Sequence, residues 1–150
     1  MNTILEFDCD LIQLDRFAKE LANENNIGNI YLLQGDLGAG KTTFARSFIN
    51  ALHDKHNVLR PNNIKSPSFP ILINYSLKNY EINHYDLYRL KNYDELLEIG
   101  LFENLERNIS IVEWPNLIIN NYSLKSYYLL EFTILNINKR NIKLKHSDKI

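Results

Sequence analysis

Gly35-Asp36-Leu37-Gly38-Ala39-Gly40-Lys41-Thr42 satisfies the spacing G-x-x-x-x-G-K-[ST] of a phosphate-binding loop. With average glycine usage of about 7%, chance supplies such a match in roughly one chain of this size in several hundred. Context argues against accident. The loop follows Ile30-Tyr31-Leu32-Leu33, an unbroken apolar run of strand length, and precedes Lys41–Leu52, which reads as a helix. It also holds three of the chain's 5 glycines, so backbone geometry is the reason they stand there. Successive amides of such a loop turn inward as a nest for phosphate oxygens. The nest leads into a helix N-terminus whose unpaired N–H groups favour anions. In this frame Leu37, Gly38, Ala39 and Gly40 wrap the phosphates and Lys41 reaches the β- and γ-phosphates. Thr42 ligates Mg²⁺ through its hydroxyl, and Thr43 sits beside the α-phosphate.

Working outward, Ile4–Phe7 reads as a strand, and Asp10 caps a helix whose apolar face is Leu11, Leu14, Phe17, Ala18 and Leu21. His53–Asn63 is polar and contains Pro61, the pattern of a surface excursion. Phe69–Tyr75 and Tyr80–Tyr85 read as strands joined by a turn at Lys78–Asn79, and Asn92–Ile99 as a short helix ended by Gly100. Ile109–Val112 is a second buried-type strand, closed by Glu113-Trp114-Pro115. Tyr127–Ile137 and Asn141–Lys145 form a hairpin across Asn138–Arg140. Helix–strand alternation followed by hairpins predicts an α/β fold: one P-loop NTPase domain over residues 1–150 with a mixed, partly parallel central sheet.

A phosphate loop needs an acid at the end of a neighbouring strand to hold its metal. Two candidates exist: Glu113 after the apolar run Ile109–Val112, and Asp86 after the more polar strand Glu81–Tyr85. Both belong to the carboxyl edge of the sheet, where α/β proteins bind ligands. Glu113 suits the metal and Asp86 the attacking water.

Composition narrows the function classes. The chain has 150 residues, a formal charge of -1 and 45% apolar residues, enough for one core and too little positive charge for a dedicated nucleic-acid binder. The one cysteine, Cys9, excludes an internal disulfide and a thiolate metal cluster. No apolar run approaches a membrane span, and the acidic stretch Met1–Asp10 has no signal-peptide pattern. These features predict a cytoplasmic protein. Asn138-Lys139-Arg140-Asn141 lacks the Asp that completes a guanine-reading N-K-x-D, which favours ATP. The six arginines are scattered rather than gathered in a kinase lid, so the predicted activity is an ATPase that acts on a partner. A small-molecule kinase and a non-hydrolysing, ATP-gated adaptor are the alternatives.

Five segments occur in order: residues 35–44, Ser66-Pro67-Ser68-Phe69, His84-Tyr85-Asp86-Leu87-Tyr88-Arg89-Leu90, Glu95–Leu101 and Val112-Glu113-Trp114-Pro115. Together they resemble the bacterial TsaE (YjeE) family, over roughly Gly28 to Pro115. The resemblance implies a small ATPase required for threonylcarbamoylation of adenosine 37 (t6A) in tRNAs reading codons that start with A. It also implies weak hydrolysis alone, coupled to a TsaB–TsaD complex through which tRNA is reached indirectly. By motif match, Lys41 and Thr42 contact ATP and Mg²⁺, Glu113 is a second Mg²⁺ ligand, and Asp86 and Trp114 belong to the hydrolytic site. Ser66 and Ser68 match a switch-like segment beside the γ-phosphate, Ser68 keeping the hydroxyl where the family usually has Thr. The match fades after Pro115; Leu11 and Arg140 are the candidates for the adenine side.

The remaining residues read more plainly. Trp114 fits either core or site. His53 and His56 read as solvated, and His84 as packed or bonded on its strand. The acidic segment around Asp94, Glu95 and Glu98 is either a wet helix face or a partner-docking face. Lys139, Arg140, Lys143 and Lys145 read as a solvated basic strip.

Overall fold

The structure, a computed structural model, describes residues 1–103, 105–121 and 124–148. In chain order the elements are β1 (Asn2–Cys9), α1 (Leu11–Asn23), β2 (Ile30–Gly35), α2 (Lys41–Lys55), β3 (Leu72–Ser76) and β4 (Glu81–Asp86). They continue as α3 (Tyr93–Glu98), β5 (Ile109–Glu113), α4 (Asn116–Asn121), β6 (Ser126–Ile134) and β7 (Arg140–Asp148). The strands form one mixed sheet in the order β1-β7-β6-β2-β5-β4-β3. β6, β2, β5 and β4 run parallel, while β3 and the β7–β1 pair close the two sides antiparallel. The expected single α/β domain with a partly parallel sheet is what forms.

The continuous apolar runs take the centre because both of their faces are covered. Tyr31, Leu33, Ile111, Leu130 and Phe132 pack against Phe44, Phe48 and Leu52 of α2 and Leu14 and Ala18 of α1. Leu32, Val112, Tyr85 and Leu129 face Leu96 and Leu101 near α3 and Ile118 of α4. α1 begins as predicted at Asp10, whose carboxylate accepts from Gln13 N at 2.8 Å while Gln13 Oε1 accepts from Asp10 N at 2.9 Å, a capping box. α2 begins differently: Gly40 has no side chain to cap it, and the first intrahelical bond is Phe44 N to Gly40 O at 2.9 Å. The amides of Lys41, Thr42 and Thr43 therefore precede any intrahelical acceptor.

Several local expectations are corrected. α2 runs on through His53, which is 3% exposed with Nδ1 2.8 Å from Ile49 O, and His56 Nε2 lies 2.9 Å from the Tyr80 hydroxyl. His53 is not solvated, because the helix period continues beyond Leu52 and returns it to the core side, while His56 at the helix end is half-buried against Tyr80. The strand expected from Phe69 starts only at Leu72, after a turn around Pro70 and a positive φ at Ile71 (66°). α4 has no counterpart in the sequence reading; Ile118 N and Ile119 N donate to Pro115 O and start it in spite of its asparagines. Glu95 accepts from Lys91 N and Asn92 N in the capping box of α3, while Asp94 and Glu98 stand exposed, in keeping with a wet helix face. Two cations of the basic strip are paired, Lys145 2.8 Å from Glu131 and Lys143 3.5 Å from Glu6, while Arg140 bonds backbone carbonyls and Lys139 is exposed. No helix among the described residues is long and apolar enough to cross a membrane.

Candidate active site

A cleft of about 580 Å³ opens at the carboxyl ends of β2, β4 and β5 and the N-terminus of α2. That volume lies within the usual range for a small-molecule site. Every residue expected at the site from the sequence lines it. The loop contributes Leu37, Gly38, Ala39, Gly40, Lys41, Thr42 and Thr43; the strand ends and the preceding segment contribute Ser66, Ser68, Asp86, Glu113 and Trp114; Leu11 and Arg140 come from the far side. Tyr88 also lines it and was not foreseen.

The loop glycines serve two purposes. Gly38 and Gly40 hold φ of 79° and 107°, the left-handed region in which a Cβ is strained. At Gly35 the constraint is contact: a Cβ there would stand 2.6 Å from Phe132 O on β6. The loop turns Lys41 back on itself, so that Nζ donates to the carbonyls of Gly35 and Asp36, the latter at 2.9 Å. The ammonium also lies 4.0 Å from the centroid of the Trp114 ring, a cation–π contact. Burial lowers the Lys41 pKa, with Glu113, Asp86 and Asp36 opposing that shift. Trp114 reaches this place through a positive φ of 56°, and its ring packs 4.8 Å from that of Tyr88. Core and site were both open for Trp114; it roofs the lysine.

The carboxylates are set by strand register. Asp86 and Glu113 are direct partners across the parallel β4–β5 ladder. Thr42 Oγ1 donates to Glu113 Oε1 at 2.8 Å, and His84 Nε2 lies 2.7 Å from Glu113 Oε2. Asp86 accepts from Ser66 Oγ at 2.5 Å and from Tyr88 N at 3.0 Å. Among the described residues no group of three His, Cys, Asp or Glu could cage a metal without help. The Thr42 hydroxyl and Glu113 carboxylate instead form a two-oxygen donor pair at the loop. That set fits Mg²⁺, which prefers oxygen and takes its remaining ligands from phosphates and water.

At the rim, Arg140 Nη2 donates to Gly38 O at 3.1 Å and Nη1 to Asn136 O at 2.7 Å, tying the β6–β7 hairpin to the glycine loop. Leu11 and Leu37 stand exposed beside it. Sequence reasoning left His84 outside the site, although alternation along a strand puts residues 84 and 86 on one face. Tyr88 carried a comparable signal, two residues beyond Asp86.

Comparison with known proteins fits this geometry. The family described as threonylcarbamoyl adenosine biosynthesis protein TsaE matches residues 10–145. The chain belongs to the TsaE family. That family is involved in tRNA threonylcarbamoyladenosine biosynthesis. The tRNA threonylcarbamoyladenosine biosynthesis protein TsaE of Rickettsia felis is 45% identical over 103 residues, which cover 69% of this chain but only 57% of that protein. The TsaE of Rickettsia typhi is 40% identical over 129 residues, 86% of this chain and 85% of that one. In fold, the crystal structure of Bacillus subtilis YdiB matches with a TM-score of 0.72 at 22% identity, covering 99% of this chain and 89% of that one. Outside the segments that carry the TsaE resemblance, the sheet is completed by β1 and the β6–β7 hairpin.

Proposed function

We propose that this chain is a Mg²⁺-dependent ATPase that works in the cytoplasm with the TsaB–TsaD complex and meets tRNA through that complex. The observation that carries this reading is the convergence of Lys41, Thr42, Asp86 and Glu113 on one loop and two adjacent strand ends. Amides of residues 38–43 and the Lys41 ammonium bind the triphosphate, and the ammonium exchanges its bonds to the Gly35 and Asp36 carbonyls for bonds to phosphate oxygens. Thr42 and Glu113 would hold Mg²⁺, which would supply positive charge to the phosphates. Asp86 keeps free lone pairs on both oxygens after bonding Ser66 and Tyr88 N, and so can accept a hydrogen bond from the attacking water. Trp114 covers the lysine and keeps bulk water from its charge. Leu11 and Arg140 border the adenine.

No arginine among the lining residues stands at the phosphate end; Arg140 belongs to the rim and is bonded to Gly38 O. Turnover of the isolated chain is then expected in the range of unassisted P-loop GTPases, about 10⁻⁴–10⁻² s⁻¹. The test is phosphate release by wild type and Lys41→Ala, alone and with the TsaB–TsaD complex. Slow wild-type hydrolysis, accelerated by the complex and abolished by the substitution, is expected. Phosphoryl transfer to a metabolite without acceleration by the complex would overturn the proposal in favour of a kinase. Intact tRNA modification by a Glu113→Ala chain that binds but cannot cleave ATP would favour an adaptor.

A further inference from the structure

We propose that His84 is a positioning residue that aims the Glu113 carboxylate at the metal position beside Thr42. This rests on the reading of Glu113 and Thr42 as the Mg²⁺-holding pair. His84 and Glu113 are 0% and 2% exposed, the most deeply buried ionisable side chains at the floor of the cleft. His84 lies on β4 opposite Ile111, one step of the strand pleat beneath the Asp86–Glu113 pair, so its ring meets Glu113 on the diagonal. The two carboxylate oxygens are thereby divided: Oε2 against His84 Nε2 at 2.7 Å, Oε1 against Thr42 Oγ1 at 2.8 Å. A carboxylate held at one oxygen cannot swing, and its other oxygen stays at the loop.

Stability alone does not account for the pair. His84 sits among Ile73, Ile82 and Ile111, where an apolar side chain would fill the space without desolvating a charge. Its Nδ1 is buried and has no hydrogen-bond partner among the described residues. That arrangement favours the Nε2–H tautomer, because a proton on Nδ1 would be a buried donor with nothing to receive it. Carboxylates that ligate metals are themselves held by hydrogen bonds from neighbouring groups, and loss of such a partner typically lowers metal affinity about 10–100-fold.

The test uses the sole tryptophan, Trp114, as a fluorescence reporter in the cleft. Mg²⁺ is titrated into wild type, His84→Phe and His84→Gln at saturating ADP, and ADP affinity is measured separately in EDTA. His84→Phe is expected to raise the half-saturating Mg²⁺ concentration about 10-fold or more while leaving ADP affinity in EDTA within about 2-fold. His84→Gln, whose amide can still donate to Oε2, is expected to stay within about 3-fold of wild type. Wild-type Mg²⁺ response in His84→Phe overturns the proposal, as does a His84→Gln loss equal to that of His84→Phe. Should His84→Phe not fold, ring-nitrogen NMR on the metal-free wild type decides the question. A proton on Nε2 supports the proposal, and one confined to Nδ1 overturns it. Failure of wild type itself to show any Mg²⁺-dependent ADP binding would instead remove the ATPase reading, and this proposal with it.

Discussion

At the floor of the cleft Lys41, His84, Asp86 and Glu113 are 5%, 0%, 4% and 2% exposed, whereas at its rim Leu11, Leu37 and Tyr88 are 60%, 86% and 67% exposed. The floor is assembled from the sheet: adjacent strand ends in register, a glycine that lets β2 lie against β6, and a helix whose first amides are left open. Its side chains are desolvated, and the carboxylates of Asp86 and Glu113 and the Lys41 ammonium are each hydrogen-bonded within the protein. The rim is assembled from a helix start, a loop tip and the segment after β4, whose side chains Leu11, Leu37 and Tyr88 face solvent. On the proposed reading, the reacting groups belong to the floor and nucleotide recognition to the rim.

This contrast can be broken by substitution. The largest effect is expected for Lys41→Ala, with ATP turnover falling about 10²–10³-fold in a phosphate-release assay, since a preorganised charge at the phosphates is removed. Retained turnover would mean the loop lysine is not the group that meets the phosphates. Glu113→Gln should lower turnover about 10²-fold with ADP affinity in EDTA unchanged, separating the metal-holding oxygen from nucleotide binding; parallel losses in both would erase that distinction. Within the loop, Gly35→Ala should cost about 1–3 kcal/mol in urea unfolding, because its Cβ would press on Phe132 O 2.6 Å away. Gly38→Ala, at φ 79° but with no atom within 4 Å of the added carbon, should cost about 1–2 kcal/mol from backbone strain alone. A larger loss at Gly38 than at Gly35 would reverse the view of β2–β6 contact as the tighter constraint. The smallest effect belongs to the rim: Leu11→Ala should weaken ATP binding by about 3–5-fold, in line with loss of part of one apolar contact. Its stability should stay within about 0.5 kcal/mol. A Leu11 effect as large as that of Lys41 would mean the rim shares the floor's precision.

What is legible in the sequence does not follow that division. The glycine loop, Glu113 after an apolar run and Asp86 after a strand sit in contiguous motifs whose chemistry is local, whereas His84 on the same floor has no such motif. Central strands were legible because burial on both faces leaves a continuous apolar run, as in Ile30–Leu33. α4 was not legible, because Asn116-Leu117-Ile118-Ile119-Asn120-Asn121 has the composition of a loop and becomes a helix through Pro115 O and the burial of Ile118. His53 was misjudged because it stands in a polar stretch while the helix carries it inward.

Residue order along the chain determined the glycine loop, the helix it opens, the buried central strands and the acids that end two of them, because each depends on neighbours within a few positions. Pairing across the sheet decided the rest. Register sets Asp86 beside Glu113, the pleat sets His84 beneath them, and the hairpin brings Arg140 to Gly38 across 102 positions of chain. Hydrogen bonding between strands and burial of two apolar faces are long-range, so no local pattern specifies which carboxylate oxygen meets which partner.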